Sequence, residues 1–340
     1  MNKKKDIRAA VQQQTKQTQR ALLSWYEANK RPLPWRLNQD PYRVWISEVM
    51  LQQTTVNAVI PFYNRFLENF KTVHELARAQ ESQVLQNWSG LGYYSRARNL
   101  HRAAKILSKS GFSKTAAELC ELPGFGPYTS RAVSSICFEE KCGVLDGNVI
   151  RVLSRHFGLN VDWWKPKERI QLQELADQLA QVDRPSNWNQ AMMELGASIC
   201  SPQKPACPIC PLRNSCVAFK ENLAAKLPLK KPRKTKQIWV WRADLIKSKS
   251  KILFVTNDYA PFLKNQWLPP GKATLESTPP KNFLFKHSIT HYEIYVILRK
   301  SKKLQAKLIN KFTHKQWVAR ENISGVSPTS LVSKLISLSL

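Results

Sequence analysis

The stretch Glu118–Phe138, ELCELPGFGPYTSRAVSSICF, decides how this chain folds. It reads as a helix, then the turn Leu122-Pro-Gly-Phe-Gly-Pro-Tyr-Thr129, then a second helix. Gly124 and Gly126 let the turn come close to a ligand, because they carry no Cβ. The N-terminus of the second helix presents unpaired backbone N–H groups suited to a phosphate oxygen. Taken alone, the stretch reads equally well as an ordinary αα-hairpin.

Downstream lie four cysteines in the pattern C-x6-C-x2-C-x5-C, at Cys200, Cys207, Cys210 and Cys216. Four thiolates within 17 residues can hold one metal centre, and Cys ligation is how [4Fe-4S] clusters are bound. Structural zinc also takes four cysteines, but usually as two C-x2-C knuckles, and only one is present here. Incidental cysteines are a third reading. Pro202, Pro205, Pro208 and Pro211 punctuate the run, as suits a tight loop around a metal. The spacing favours iron–sulfur and leaves zinc open.

Charge widens the inference. The 340 residues carry 53 Lys and Arg against 24 Asp and Glu, a net +29. Residues to Leu227 contribute +12 and those from Pro228 onward +17, from 22 basic and five acidic residues. A field of that sign concentrates polyanions, nucleic acid above all, with an anionic membrane surface as the blander reading. No apolar run approaches the ~18 residues of a membrane helix. Met1–Gln19 is polar and Lys/Gln-rich, unlike a signal peptide. A reducing, cytoplasmic compartment is expected.

Length predicts about two domains. Helical text runs from Thr18 to about Phe219. Asp40-Pro41 opens a helix through Val44 to Ile60, and Thr72–Trp88, Arg96–Ser108 and Arg169–Gln181 carry further helical periodicity. Residues 223–236, LAAKLPLKKPRKTK, lose periodicity and read as a linker. Beyond it, Ile238–Leu245, Ile252–Thr256 and Tyr292–Leu298 are β-branched and aromatic and read as strands. An all-α domain followed by a smaller α+β domain is expected.

The hairpin, then Val144-Leu-Asp-Gly-Asn-Val149, then the four-cysteine loop resembles the helix-hairpin-helix DNA glycosylase superfamily, which includes endonuclease III. Ser47-Glu-Val-Met-Leu-Gln-Gln-Thr54 and Gly90-Leu-Gly-Tyr-Tyr-Ser-Arg96 look like adenine DNA glycosylases of the MutY type. The resemblance covers roughly Trp25 to Val217 and is much weaker beyond. It implies a mainly α fold, a helix-hairpin-helix glycosylase domain with a [4Fe-4S] loop, plus a small α+β MutT-like (Nudix-related) domain. The expected boundaries are a tail over 1–17, the catalytic domain over 18–221 with its cluster loop at 200–216, a basic linker over 222–237, and the MutT-like domain over 238–340.

What the resemblance implies about chemistry is specific. Asp146 stands where the superfamily keeps its catalytic Asp, at a helix mouth where backbone donors and the dipole should keep a carboxylate ionised; a plain N-cap is the alternative. Glu48, on an otherwise apolar helical stripe, should have a raised pKa and act as general acid, then as the base that activates water; a solvated surface Glu is the alternative. Tyr128 occupies the hairpin position where endonuclease III-like enzymes carry a Schiff-base Lys, so strand cleavage is not expected. Tyr128 and Asn148 are implied to orient the two carboxylates. Trp35, Arg36 and Glu194 match the wall of an adenine pocket. Gln52, Gln53 and Thr54, with Tyr93 and Leu91, match positions that meet or wedge into duplex DNA once the target base leaves the stack. Gly124, Gly126 and Lys204 are implied backbone contacts.

Lys286-His-Ser-Ile-Thr-His291 falls where the family carries a Phe-Ser-His loop that reads 8-oxoguanine, so Thr290 and His291 are the implied readers. Ile289 lacks the aromatic ring. The expected partner is double-stranded DNA containing A·8-oxoguanine or A·G mispairs, bound by a monomer at the nucleoid. The expected cofactor is a [4Fe-4S] cluster.

Overall fold

Trp45 shows how the first half of the chain is assembled. It is fully buried and stacks on Phe125, the residue between the two hairpin glycines, with ring centroids 5.2 Å apart. Burying one such Phe is worth roughly 1.5–3 kcal/mol, enough to seat the turn against the helix that carries Trp45. The computed structural model describes residues 7–232, 235–299, 312, 314–327 and 329–339. They form two compact units, Met1–Lys231 and Pro232–Leu340.

In the first unit the helices are α1 (Ile7–Asn29), α2 (Pro41–Leu51), α3 (Val56–Asn69), α4 (Val73–Arg78), α5 (Glu81–Asn87), α6 (Tyr94–Ser110), α7 (Ala116–Cys120), α8 (Pro127–Phe138), α9 (Gly147–His156), α10 (Pro166–Leu179), α11 (Pro185–Ser198) and α12 (Val217–Lys220). Their apolar faces close around one core that includes Trp45, Phe66, Trp88, Phe157 and Trp188. Asp40 caps α2 as its sequence suggests, accepting the backbone N–H of Tyr42 at 2.8 Å. The single helix expected from Asp40 to Ile60 is instead two. The chain breaks after Leu51, where Gln53 takes a left-handed φ of 59°. Thr72–Trp88 likewise splits into α4 and α5, because Gln80 caps a new start rather than continuing the old helix. α1 starts at Ile7, inside the stretch expected to be a tail. Gln, Ala, Lys and Arg favour helix even without an apolar stripe.

The hairpin is α7, the turn, and α8. Gly124 has φ 81°, and a Cβ there would meet Asn99 Cβ at 2.6 Å. Gly126 has no such internal reason to be glycine. A Cβ there would meet nothing, so its bareness faces outward. α8 starts with Pro127 and has no side-chain cap, which leaves its first N–H groups free for an outside acceptor.

In the second unit β1 (Gln237–Asp244), β5 (Gly271–Glu276), β6 (Phe285–Ile289) and β7 (Tyr292–Arg299) form a sheet in the order β5-β1-β7-β6. Its β1–β7 pair is parallel and the others antiparallel. β2 (Lys247–Ser248), β3 (Lys251–Thr256), β4 (Trp267–Leu268) and β8 (Lys315–Ala319) make a second sheet centred on β3. Trp241, Phe254, Phe262 and the helix Ser330–Ser339 fill a separate core. No helix among the described residues is long and apolar enough to cross a membrane.

Candidate active site and nucleic-acid interface

α2, α8, α9 and α11 converge on a cleft of about 760 Å³. Glu48 comes from α2, one turn past Val44, and is buried with 4% exposure. The Tyr128 hydroxyl, from the first turn of α8, donates to Glu48 Oε2 at 2.5 Å and lies 3.2 Å from Met193 Sδ. Burial pushes the Glu48 carboxyl up to about 7; nearby Asp146 adds to the rise, against the Tyr128 donor and Arg36. Burial and the adjoining Glu48 likewise drive the Tyr128 phenol well above its ordinary value. The phenol therefore stays protonated as a permanent donor.

Asp146 caps α9. Its Oδ1 accepts the Val149 N–H at 2.7 Å and its Oδ2 accepts from Asn148 Nδ2 at 2.9 Å. These donors favour the ionised form, yet burial outweighs them and the Asp146 pKa is raised. The donor pair is there, and the desolvated cleft dominates it. The segment leading to Asp146 is fixed from behind. Asn189 accepts the Val144 N–H at 3.1 Å and donates to Cys142 O at 2.8 Å, and Asp177 accepts the Gly143 N–H at 2.8 Å.

The opposite wall holds a buried carboxylate already satisfied. Glu194 is bound by Arg31, which also donates from Nη2 at 3.0 Å, and by Arg36 Nη2 at 2.8 Å. Burial alone would raise its pKa, but the two guanidinium groups outweigh that and hold it below the usual range. Trp35 and Gln190 complete this wall. The cleft can therefore protonate a group at its Glu48 end, place negative charge at its Asp146 end, and hold a flat polar ring against arginine and tryptophan.

A family profile described as HhH-GPD superfamily base excision DNA repair protein matches residues 46–179, which hold the hairpin, Glu48 and Asp146. An adenine DNA glycosylase of Buchnera aphidicola is 33% identical over 299 residues, 81% of this chain and 85% of that protein. The chain belongs to the adenine DNA glycosylases of the HhH-GPD superfamily. A rat adenine DNA glycosylase is 46% identical over 211 residues, 58% of this chain, and the match spans only 41% of that longer relative. Among solved structures, a thermostable thymine-DNA glycosylase superposes with a TM-score of 0.57 at 27% identity, covering 62% of this chain and 99% of its own.

Family membership sharpens the reading of the remaining positions. Gln52, Gln53, Thr54 and Asn148 line the cleft together with Trp35, Arg36 and Glu194. Gln52 also donates to Thr129 Oγ1 at 3.1 Å, tying the end of α2 to the hairpin helix. Tyr93 is 53% exposed in a left-handed conformation. Leu91 is buried, so it supports the loop and does not project as a wedge. Lys204 is exposed on the cysteine loop. Thr290 and His291 form the β6–β7 turn of the other unit. His291 packs on Tyr292 at 4.1 Å, and Thr290 Oγ1 lies 3.2 Å from His291 Nδ1. Sequence reading passed over Arg31, Met193, Asn189 and Gln190. None belongs to a local motif, and only the pairing of distant helices reveals them.

The four cysteines line one small apolar pocket with Arg155, Ile199 and Ala218. Burial raises the thiols of Cys207, Cys210 and Cys216, that of Cys210 to about 11. Thiolate at neutral pH therefore needs metal ions bonded directly to the sulfurs. Among the described residues, no three His, Cys, Asp or Glu side chains converge as a grip for a single ion. Arg155 is buried and donates to Ser201 O at 2.7 Å, Pro202 O at 2.9 Å and Leu227 O at 2.8 Å, with Nη1 3.4 Å from Cys200 Sγ. A soft, all-sulfur donor set beside a buried cation fits an anionic iron–sulfur centre, which Cys200, Cys207, Cys210 and Cys216 would hold.

In the second unit the five acidic residues do not gather. Asp244 pairs with Arg299, Glu276 with Arg242, and Glu293 with Lys236 and Lys286. Among the described residues no three carboxylates or other ligands come together, as a Mg²⁺-binding group like that of a nucleotide hydrolase would require.

Proposed function

We propose that this protein is a monofunctional DNA glycosylase of base-excision repair. It hydrolyses the N-glycosidic bond of adenine paired with 8-oxoguanine, and with guanine, in duplex DNA that it binds as a monomer carrying one [4Fe-4S] cluster. The observation that carries the reading is Glu48, buried, poised near neutrality and held by Tyr128 in the same cleft as Asp146.

A base reacts here only after it has left the stack, and the cleft is large enough to take it. Adenine becomes a leaving group when Glu48 protonates N7. The N9–C1′ bond then breaks with its electron pair departing on adenine, leaving an oxocarbenium sugar. Asp146 faces that positive charge. The sugar is now cationic, which favours the ionised Asp146 against the like charge that the departed proton leaves on Glu48. Glu48, now a carboxylate, takes a proton from water as the oxygen adds to C1′, which restores the acid. Two carboxyl groups in different surroundings divide the labour, as in glycoside cleavage generally. Tyr128 has no amine, so no imine forms with the sugar and the product is an intact strand bearing an abasic site. Cys200, Cys207, Cys210 and Cys216 would hold the cluster, which would order the loop that carries Lys204, and no bond-breaking step is assigned to it.

Duplexes containing A·8-oxoguanine, A·G, A·C and T·G, incubated with the protein and then treated with alkali, test the reading. Strand breaks should follow alkali only, and at the adenine of the first two. Breaks at T·G instead would assign the cleft to another base. Single-turnover rates should also fall about tenfold per pH unit above roughly pH 7, because the reactive form of Glu48 carries the proton.

His291→Ala and Thr290→Ala should narrow the preference for A·8-oxoguanine over A·G by about tenfold, with little change in the salt dependence of binding, since they remove lesion contacts and hardly alter the field of a chain at +29. Full preference in both variants would leave the second unit as a basic clamp.

A further inference from the structure

Arg96, near the start of α6, closes the Gly90–Arg96 motif, and its side chain turns inward. Nη1 donates to Val49 O at 2.7 Å, Met50 O at 3.1 Å and Gln52 O at 2.6 Å. These carbonyls belong to the end of α2, where no further helical N–H arrives to meet them. Nη2 reaches the loop before α6, at Leu91 O (3.3 Å) and Gly92 O (3.4 Å). The guanidinium lies over the rings of Trp88 and Tyr93, at 5.4 and 5.5 Å. It also borders a small cavity that reaches Pro123 and Gly124 of the hairpin turn.

One guanidinium thus holds the two loops that each offer an exposed, left-handed, non-glycine residue, Gln53 at φ 59° and Tyr93 at φ 49°. Such backbone is costly and persists only when its surroundings over-determine it. The carbonyls from both loops supply that constraint through a single side chain. They also occupy both Nη atoms, so Arg96 is poorly placed to act as an ordinary phosphate contact. Lys could not replace it, because a point charge with three donors does not span a planar set of acceptors on two sides.

We propose that Arg96 is a positioning residue that presents Gln53 and Tyr93 together to the duplex and so governs extrusion of the target base, not the breaking of its bond. This rests on the glycosylase reading above. If it holds, loss of Arg96 uncouples two side chains that must act on one base step, while Glu48 and Asp146 keep their own partners.

The test uses full-length protein and a duplex with 2-aminopurine, which fluoresces when unstacked, at the target position opposite 8-oxoguanine. Excision from the matching adenine duplex is followed in parallel. In Arg96→Lys the fluorescence rise at saturating protein should fall at least fivefold and single-turnover excision at least thirtyfold. The dissociation constant should stay within threefold, the salt dependence of binding should be unchanged, and the pH profile should still break near 7. Arg96→Met should show the same pattern more strongly; if it does not fold, the Lys variant carries the test alone. An undiminished fluorescence rise in Arg96→Lys overturns the proposal. So does a displaced pH profile, which would put the effect on Glu48, or a parallel loss of binding and thermal stability, which would make Arg96 merely structural. If wild-type protein neither excises adenine nor unstacks 2-aminopurine, the glycosylase reading itself fails, and the role of Arg96 fails with it.

Discussion

Glu48→Gln should slow adenine release by about a thousandfold or more while leaving mispair binding within a few-fold, because the amide keeps the shape and loses the proton. The same substitution should make the protein more stable at alkaline pH. A carboxyl whose folded pKa is raised, here from 4.5 to about 7, binds its proton more tightly in the native state than in the unfolded chain. Its contribution to stability is therefore full below about pH 4.5 and is lost as pH climbs through about 7. Above that range the wild type must hold a charged carboxylate in a buried site, at a cost on the order of 3 kcal/mol. Gln carries no such charge and still accepts the Tyr128 hydroxyl. Thermal unfolding at pH 8 should show the variant melting several degrees higher, and at pH 5 the two should nearly coincide. Excision within about tenfold of wild type would mean the acid lies elsewhere. Equal melting temperatures at pH 8 would mean that Glu48 is not desolvated.

Cys210→Ala should have the second large effect. The wild-type protein is expected to be brown, with broad absorbance near ~400 nm and about four irons per chain; a colourless protein holding one zinc would overturn the cluster. The variant should lose colour, melt much lower and excise adenine at least about a hundredfold more slowly. The physical route is visible in two arginines. Arg155 is buried with its N–H groups on carbonyls and a cysteine sulfur, so removing an anionic centre leaves its charge uncompensated. Arg151 donates to Cys200 O at 2.7 Å and to Asn148 Oδ1 at 2.8 Å, and Asn148 in turn donates to Asp146. Collapse of the loop therefore reaches the carboxylate in the cleft. A variant that keeps its iron and its activity would show that Cys210 is not a ligand.

Much of the site is legible because it is written locally. The hairpin glycines, the Asp146-Gly-Asn cap and the cysteine spacing each lie within one short segment, where backbone geometry and donor chemistry act over a few residues. Even Glu48 is marked by sitting on an apolar stripe. What escaped reading is long-range. The break of α2 at Gln52–Thr55 defeats helical periodicity, since a left-handed Gln53 leaves no compositional trace. The burial of Leu91 is equally hidden, because a Leu in a glycine-rich loop reads the same whether it points in or out.

Residue type and spacing were enough for the cysteine set and for the basic character of both halves, while the helix-hairpin-helix family and the two catalytic candidates came from the resemblance that the ordered motifs carry. The balance of forces at those residues depends on how distant segments pack. The Asp146 pKa rises despite its donors, because desolvation is a property of the closed cleft. Arg31 and Arg36 converge on Glu194 from positions far away in sequence. Arg96 spends itself on carbonyls of two separate loops. Burial and pairing depend on which segments meet in space, and no pattern along a single segment encodes that.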